Sequence, residues 1–562
     1  MLQFHRQIIR DIYPSGHCEL SDRDGLVILA QGLGLHRLVA SVIETHCDRR
    51  NLVLLLNTPK QEFDTLRERV KSDLLVNVTN ETISKNRSAL YLGGGILAVT
   101  TRILVVDMLN NVIPIHLISG IIINNAHDSE SSMIAFILRL YRKENKEGFI
   151  KAFSEKPVLL SHQLERCLKS LMVRQVHCWP RFHVDVMQDI QRGSVELVEL
   201  RIVQTPPMQE IQQGLLECMS ATLNELKRRH TLDADSVKLE NSFFSGFEAI
   251  IRSQLEHLPD VSMQTRQAIR DITTLRHLLT YLVGYDCVGF YLFLETILAA
   301  NSETHSVFKS DLTSAWLLSD AAQVVFTQAR SRVYKHDKAK KIVPVLEEQP
   351  KFKVLAETIQ EIQQSRTQGN ILILCQGDRV CRQIQQITDG LQQSTGFSSY
   401  GAEQLLKAQF AKYRAWKGMI NIEAIGSLKK DQRVLSKRRR TKRTQEESVV
   451  DLENTLEIDD GEDFHELALQ SEKLPYIHVS TFSRADEDME CLEEISPKWI
   501  ILYSPDMGFV RKIEVFSALH PEHAIKVYFM VYDNSIEEQM YLMEIRKEKE
   551  AFERIIMKKS VS

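Results

Sequence analysis

The spacing of apolar positions changes twice along this chain of 562 residues. Over roughly the first 150 residues, short continuous apolar runs alternate with segments of helical spacing, the pattern of an α/β domain with strands buried on both faces. The runs Leu26–Ala30, Leu52–Leu56, Ile96–Val99, Ile103–Val106 and Gly120–Ile123 predict strands; Leu35–His46 and Gln61–Lys71 predict helices. From about Ser161 to Tyr334 helical spacing dominates, in Met208–Arg229, Thr265–Val283 and Ala321–Tyr334, interrupted by one β-like run at Val195–Val203. Near Lys351 the first pattern returns. Helices are predicted at Lys353–Gln364 and Arg379–Leu391, and strands at Ile371–Cys375, Tyr476–Ser480, Trp499–Tyr503 and Ile525–Val531. A long closing helix is opened by Ser535, with Glu538 three residues later as a capping box.

Composition adds little to this picture. Charged residues are 26% and hydrophobic ones 43%, as in an ordinary soluble globular protein of three or four domains. Nine cysteines with no C-x-x-C pair indicate neither a zinc ribbon nor a secreted disulfide framework. No secretory signal is evident at the N-terminus, and the longest apolar stretch, Leu278 to Ala300, is broken by Asp286 and Glu295, so no membrane partner is expected.

Charge is more informative in its distribution than in its sum. The net charge of −4 excludes a uniformly basic nucleic-acid coat, but it hides two adjacent blocks. Lys429 to Arg443 holds nine Lys or Arg, and Glu446 to Glu466 holds ten Asp or Glu. Such a segment cannot supply a core, so residues 427–475 read as a disordered charged insert. The domain plan is then a first lobe at 1–155, an inserted helical domain at 156–345 and a second lobe at 346–562. Two α/β lobes flanking a helical insert is the plan of helicase motors of superfamily two, whose RecA-like lobes sandwich ATP.

A working motor needs a loop that cradles phosphates, with a Lys for their charge and a Ser or Thr for Mg²⁺. After the first strand the chain has Gly32 and Gly34, but Leu35 and His36 stand where Lys and Thr should be. The glycines alone read first as a tight βα turn, since a lone Gly-x-Gly is a weak signal. The acidic pair expected after a buried strand is replaced by amides in Asn124-Asn125-Ala126-His127, and an asparagine cannot take a proton. The two arginine positions of the second lobe hold Val515 and Ala518. Three independent phosphate- or water-handling elements are degraded on an intact scaffold, which indicates an inactive motor.

Several stretches then bring a family into view. Arg102-Ile-Leu-Val-Val-Asp107, Ala135-Phe-Ile-Leu-Arg-Leu140, Gly148-Phe-Ile-Lys-Ala-Phe153, Trp179-Pro-Arg-Phe-His183 and Arg546-Lys-Glu-Lys-Glu-Ala-Phe552 resemble, in order and nearly end to end, the helicase-like region of the XPF-type DNA repair endonucleases. The resemblance implies a degenerate motor that binds DNA without ATP and positions a nuclease, in nucleotide excision repair and interstrand crosslink repair, with single-strand incision 5′ of damage. It implies branched or damaged DNA at junctions of duplex and single strand as ligand, a smaller endonuclease subunit and a repair scaffold protein as partners, and the nucleus as location. The family's nuclease motif, which would use Mg²⁺ or Mn²⁺, is not found: Glu-Arg-Lys is absent, so no cofactor and no incision chemistry is expected of this chain, which reads as a fragment or short isoform.

Candidate DNA contacts in the first lobe are Arg87, Thr101 and Arg102, the last able equally to cap or pair locally. Trp179 and Arg181 could stack on a base or form a packed corner. Lys437, Arg438, Arg439, Arg440, Lys442 and Arg443 fit nuclear import, with phosphate contact or a solvated loop as alternatives. Leu226, Leu239 and Phe243–Phe244 are either helical core or an exposed docking surface. An active ATP-dependent helicase and a protein scaffold without a DNA role are the rival functions.

Overall fold

The structure, a computed structural model, describes residues 1–13, 23–80, 82, 84–128, 132–229, 237–244, 246–255, 262–302, 314–336, 342–365, 368–393, 400–430, 476–483 and 491–561. In chain order the first lobe contains α1 (Gln3–Ile12), β1 (Gly25–Leu29), α2 (Leu35–His46), β2 (Leu52–Leu56), α3 (Lys60–Val70), β3 (Leu75–Val78), α4 (Ser84–Gly93), β4 (Gly95–Val99) and α5 (Thr101–Leu109). It continues with β5 (Ile118–Ile123), α6 (Ser132–Glu144), β6 (Phe149–Ser154), α7 (Pro157–Leu171), β7 (Gln175–Trp179) and α8 (Val184–Ile190). Its sheet is parallel throughout, in the order β3-β4-β2-β5-β6-β1-β7. The inner strands β1, β2 and β4 are buried at every position, which is why they read as unbroken apolar runs.

The strand β8 (Val195–Ile202) leads into α9 (Pro206–Arg229), α10 (Leu239–Ser242), α11 (Phe247–Leu255), α12 (Met263–Gly284), α13 (Cys287–Ser302) and α14 (Asp320–Val333), and then into the short antiparallel pair β9 (Tyr334–His336) and β10 (Ile342–Pro344). The second lobe follows with α15 (Pro350–Gln364), β11 (Asn370–Cys375), α16 (Asp378–Gln393), α17 (Tyr400–Lys430), β12 (Ile477–Thr481), α18 (Cys491–Ile495), β13 (Pro497–Leu502), α19 (Met507–Leu519), β14 (Ile525–Tyr532) and α20 (Ile536–Val561). Its parallel sheet has the order β12-β11-β13-β14-β8.

These sheets move the boundary expected at 155 and give the second lobe a strand from within the expected helical domain. The first sheet needs β7, because β1 lies between β6 and β7, so the first lobe runs on through α8. The polar residues Gln175 and His177 in this edge strand hide its signal. The β-like run at Val195 is no part of the helical domain. It pairs along all eight residues with β14 and closes the second sheet. The helical domain proper begins at α9.

One expected strand is a helix. Ile103–Val106 lies inside α5, where the extended Thr100 ends the approach from β4 and the helix buries Ile103, Leu104, Asp107 and Met108 along one face while Val106 and Leu109 stay exposed. Four apolar residues in a row carry no period, so tertiary context decides between the two. The capping box at Ser535 forms: its hydroxyl accepts from the Glu538 amide at 3.2 Å, and the Glu538 carboxylate reaches back to the Asn534 amide at 2.9 Å. No helix among the described residues is long and apolar enough to cross a membrane.

The second lobe holds a buried charge. Lys351, in the first turn of α15, is fully buried, donates to both oxygens of Glu537 at 2.7 and 2.8 Å and to the Tyr503 carbonyl at 2.7 Å, and lies between the Tyr503 and Tyr532 rings. Burial lowers its pKa, and the Glu537 carboxylate opposes that shift.

Candidate functional site

The turn between β1 and α2 keeps the shape of a phosphate loop. Gly32 and Gly34 both have left-handed backbone, at φ +84° and +86°, where a side chain is strained. Beneath the turn, the fully buried His5 bonds the Leu33 carbonyl through Nε2 at 2.8 Å, and burial pushes its pKa down to about 4. Leu35, in the position of the missing Lys, is buried.

The chemistry of the loop is inverted. The amide of Leu35, first residue of α2, donates to the Glu155 carboxylate at 3.0 Å. A helix N-terminus carries about half a positive charge and is a ready anion site, and here a protein carboxylate occupies one of its donors. Opposite lies Glu62, in the first turn of α3, which accepts from Asn124 at 2.8 Å and from Asn125 at 3.1 Å. Asn124 and Asn125 thus serve as donors to a carboxylate, a role aspartates could not fill. His127 bonds Ser154 at 3.0 Å through Nδ1, and burial lowers its pKa. These residues, with His36 and Lys156, line a cavity of about 320 Å³ that presents two carboxylates and one ammonium. Among the described residues no group of three or more His, Cys, Asp or Glu could hold a metal ion.

The second lobe closes against this turn without an arginine. Val515 and Ala518, on α19, are buried in the hydrophobic cluster of the first lobe, together with Phe552 and Ile555 of α20. The α19 backbone comes so close that a Cβ on Gly32 would lie 2.1 Å from the Gly508 carbonyl oxygen. Arg511 donates to the Gln31 carbonyl at 3.1 Å while paired with Glu548 at 2.8 Å, both side chains nearly buried. Arg181 forks onto Glu514 at 2.9 and 3.0 Å, Arg37 pairs with Glu493, and Lys558 donates to the Ser161 carbonyl at 3.0 Å. The interface between lobes is therefore apolar where Val515 and Ala518 are seated, and the ion pairs Arg181–Glu514 and Arg37–Glu493 cross it.

The candidate DNA contacts separate cleanly. Arg87 is occupied: its guanidinium forks onto the fully buried Asp107 at 2.8 Å, with Tyr91 donating to the same carboxylate at 2.7 Å and Arg87 itself reaching the Thr82 carbonyl at 2.6 Å. Trp179 is 4% exposed and packs on His183, so it has no face for a base, and Arg181 belongs to the lobe interface. Thr101 is half-buried, its hydroxyl 3.8 Å from the Met133 sulfur. Arg102 is exposed and without a hydrogen bond or ion pair among the described residues. Leu226 and Phe243 are buried core, and Leu239 and Phe244 pack on it, with Lys547 over the Phe244 ring. From residue 431 onward the charged insert, with Lys437 to Arg443, lies outside the described residues. Sequence reasoning missed Glu62, Glu155, Gly508 and Arg511, because each acts through a partner distant in the chain; only the placement of Glu62 in the first helical turn after β2 gave a local signal.

No family model matches the chain. The chain is 34% identical over its whole length to the DNA repair endonuclease XPF of Cricetulus griseus, and covers 68% of that protein. It is 32% identical over 96% of its length to the DNA repair protein rad16 of Schizosaccharomyces pombe, again covering 68% of the relative. Among solved structures the helicase domain of Hef from Pyrococcus furiosus aligns over 97% of this chain and 98% of its own, with a TM-score of 0.54 at 14% identity, a likeness of fold. The α/β lobes with their parallel sheets and degenerate nucleotide turn, taken with these relatives, mean that the chain belongs to the XPF family of DNA repair endonucleases and carries its helicase-like region.

Proposed function

We propose that this chain binds DNA at junctions of duplex and single strand without ATP and places a nuclease there, in the nucleus. The observation that carries this reading is the coupling of a filled anion site to a closed interface. A nucleotide phosphate arriving at α2 meets the Glu155 carboxylate already on the Leu35 amide and Glu62 facing it, with Lys156 the only lining ammonium among the described residues. Two like charges in a partly enclosed site repel by several kcal/mol at short range. The Gly32–Gly508 approach and the apolar seat of Val515 and Ala518 hold the lobes together through direct protein contacts. With the lobes fixed relative to one another, DNA meets a rigid surface rather than a moving one. Arg102 is the first-lobe candidate for a backbone contact that remains exposed.

Fluorescence anisotropy with forked and blunt duplexes, over a salt series and with or without Mg-ATP, tests the proposal. Tighter binding to the fork, unchanged by nucleotide and falling as salt rises, is expected. Micromolar ATP affinity with Mg²⁺-dependent turnover would overturn it, and equal lack of binding to both DNAs would favour a protein scaffold.

A further inference from the structure

A parallel sheet has two edges, and the two sheets here have four. Three are shorter. β3 has four residues, and β12 and β7 have five each. The fourth, β8, has eight residues, contains no proline, and keeps unbroken register with β14 from Val195 to Ile202. Proteins usually shorten, bulge or charge such edges; β8 is neither short nor bulged, and its charges are Glu196, Glu199 and Arg201 rather than lysine.

The free side of β8 is defined by its ladder. The carbonyls of Ser194 and Ile202 accept from Ile525 and Asp533 on the β14 side. In a parallel strand the N–H and C=O of one residue point the same way, so even-numbered residues face β14. Val195, Leu197, Glu199 and Arg201 then turn their backbone groups outward, where no hydrogen bond from them is formed among the described residues. Of the same residues, Val195 packs on the apolar cluster of the second lobe while Leu197, Glu199 and Arg201 are exposed: Leu197 is 62% exposed, and Val203 just beyond the strand is 69% exposed. The charges around the edge are unequal. Arg201 is shared by Glu199, Asp533 and Glu538, and Glu196 pairs with Lys526, leaving four carboxylates against two cations.

We propose that the open edge of β8 captures an extended peptide segment in which apolar residues alternate with Lys or Arg, adding it to the second sheet as a sixth strand. Backbone hydrogen bonds to the outward groups of β8 supply affinity, and alternate side chains supply selectivity. The cations of the segment share the face of Glu199 and Arg201, near Asp533 and Glu538, and its apolar residues share the opposite face, beside the partly buried Val198 and Leu200. This surface is separate from the nucleotide cavity, so the inference stands independently of the DNA-binding proposal.

The test uses the full chain and a fluorescein-labelled nonapeptide of alternating Val and Lys, read by anisotropy and by amide hydrogen exchange. Saturable binding is expected, with slowed exchange across residues 195–203. An analogue N-methylated at alternate amides, and an alternating Val and Glu peptide, should each bind about tenfold or more weakly, since each loses backbone bonds or opposes charge. Leu197→Pro removes an outward donor but not the ladder to β14, and should abolish binding. Glu199→Lys, at an exposed position, should reverse the preference between the two peptides. Absence of binding by the Lys peptide, equal binding of its N-methylated analogue, or unchanged exchange in 195–203 overturns the proposal. So does sedimentation showing a dimer whose β8 amides are already slow without peptide, which would assign the edge to a second copy.

Discussion

Gly32 and Gly34 form a matched pair that isolates the lobe interface. Both have left-handed backbone, so an alanine at either position costs about 1–2 kcal/mol of backbone strain. Their surroundings differ. A Cβ on Gly34 meets the edge of the His5 ring at 3.3 Å, which a side chain can relieve by a small shift. A Cβ on Gly32 would sit 2.1 Å from the Gly508 carbonyl oxygen and 3.1 Å from Arg511 Cβ, and backbone on both sides must part to accept it. Relief requires a separation of roughly 1 Å, enough to forfeit much of the dispersion contact at a packed surface. The Arg511 bond to the Gln31 carbonyl, worth about 1.5–3 kcal/mol as a charged hydrogen bond, is lost with it, and part of the burial of Val515 follows. Gly32→Ala should therefore weaken lobe coupling by about 2–4 kcal/mol more than Gly34→Ala. Because a multi-domain chain need not unfold in one step, the appropriate readout is local. Amide exchange in α19 and the radius of gyration from solution scattering should report opening in Gly32→Ala and little change in Gly34→Ala. Equal behaviour of the two variants would refute the idea that the turn is clasped by the second lobe.

Three further outcomes follow from single side chains. Burial holds His5 neutral with a pKa of about 4 against an ordinary 6.5, so the unfolded chain takes up a proton first as pH falls; the contribution of about 3 kcal/mol is complete above pH 6.5 and lost as pH falls towards 4, and melting of His5→Gln should be flatter over that window. Glu537→Gln leaves the Lys351 ammonium buried with neutral partners and no counter-charge, and should destabilise the second lobe by about 3–5 kcal/mol in denaturant titration, a loss under 1 kcal/mol contradicting the buried pair. Arg102→Ala should lower fork affinity and reduce the salt slope by about one with no change in melting, whereas Arg87→Ala should cost about 3–5 kcal/mol by stranding Asp107; the reverse ranking would restore Arg87 as the DNA contact.

Fold class was legible because a parallel sheet covered on both faces writes itself as apolar runs. Leu26–Leu29, Leu52–Leu56 and Ile96–Val99 needed no further information. Edges were only partly legible: β12 shows in the run Tyr476–Ser480, whereas the half-solvated Gln175–Trp179 has a diluted pattern. Val195–Ile202 reads as a strand, but its domain does not, because its partner β14 lies more than 300 residues away in sequence. The degenerate positions at Leu35, Asn124, Val515 and Ala518 could be read directly, because a missing charge is visible in a known place. What replaced them could not be read. Glu155 reaches Leu35 across 120 residues and Arg511 reaches Gln31 across 480, and no local pattern announces either.

The lost residues and the new contacts are one change rather than two. A motor that cycles must open and reseal the face between its lobes, so that face has to stay wet and weakly bound, and a phosphate must find the helix N-terminus free. Here Val515 and Ala518 are apolar, where a guanidinium would be too strongly hydrated to sit in the first lobe's core. Their burial draws α19 down until Gly508 meets Gly32, an approach that only a glycine at position 32 allows. The Leu35 amide, an end-of-helix donor, needs a partner, and the Glu155 carboxylate supplies it. Asn124 and Asn125 in turn let Glu62 remain close, since two aspartates in their places would face it with like charge. Each substitution thus removes a reason for the lobes to part and adds one for them to stay together. Restoring a single motor residue would meet the remaining contacts unchanged, and a lysine at position 35 would pair with Glu155 before it met a phosphate.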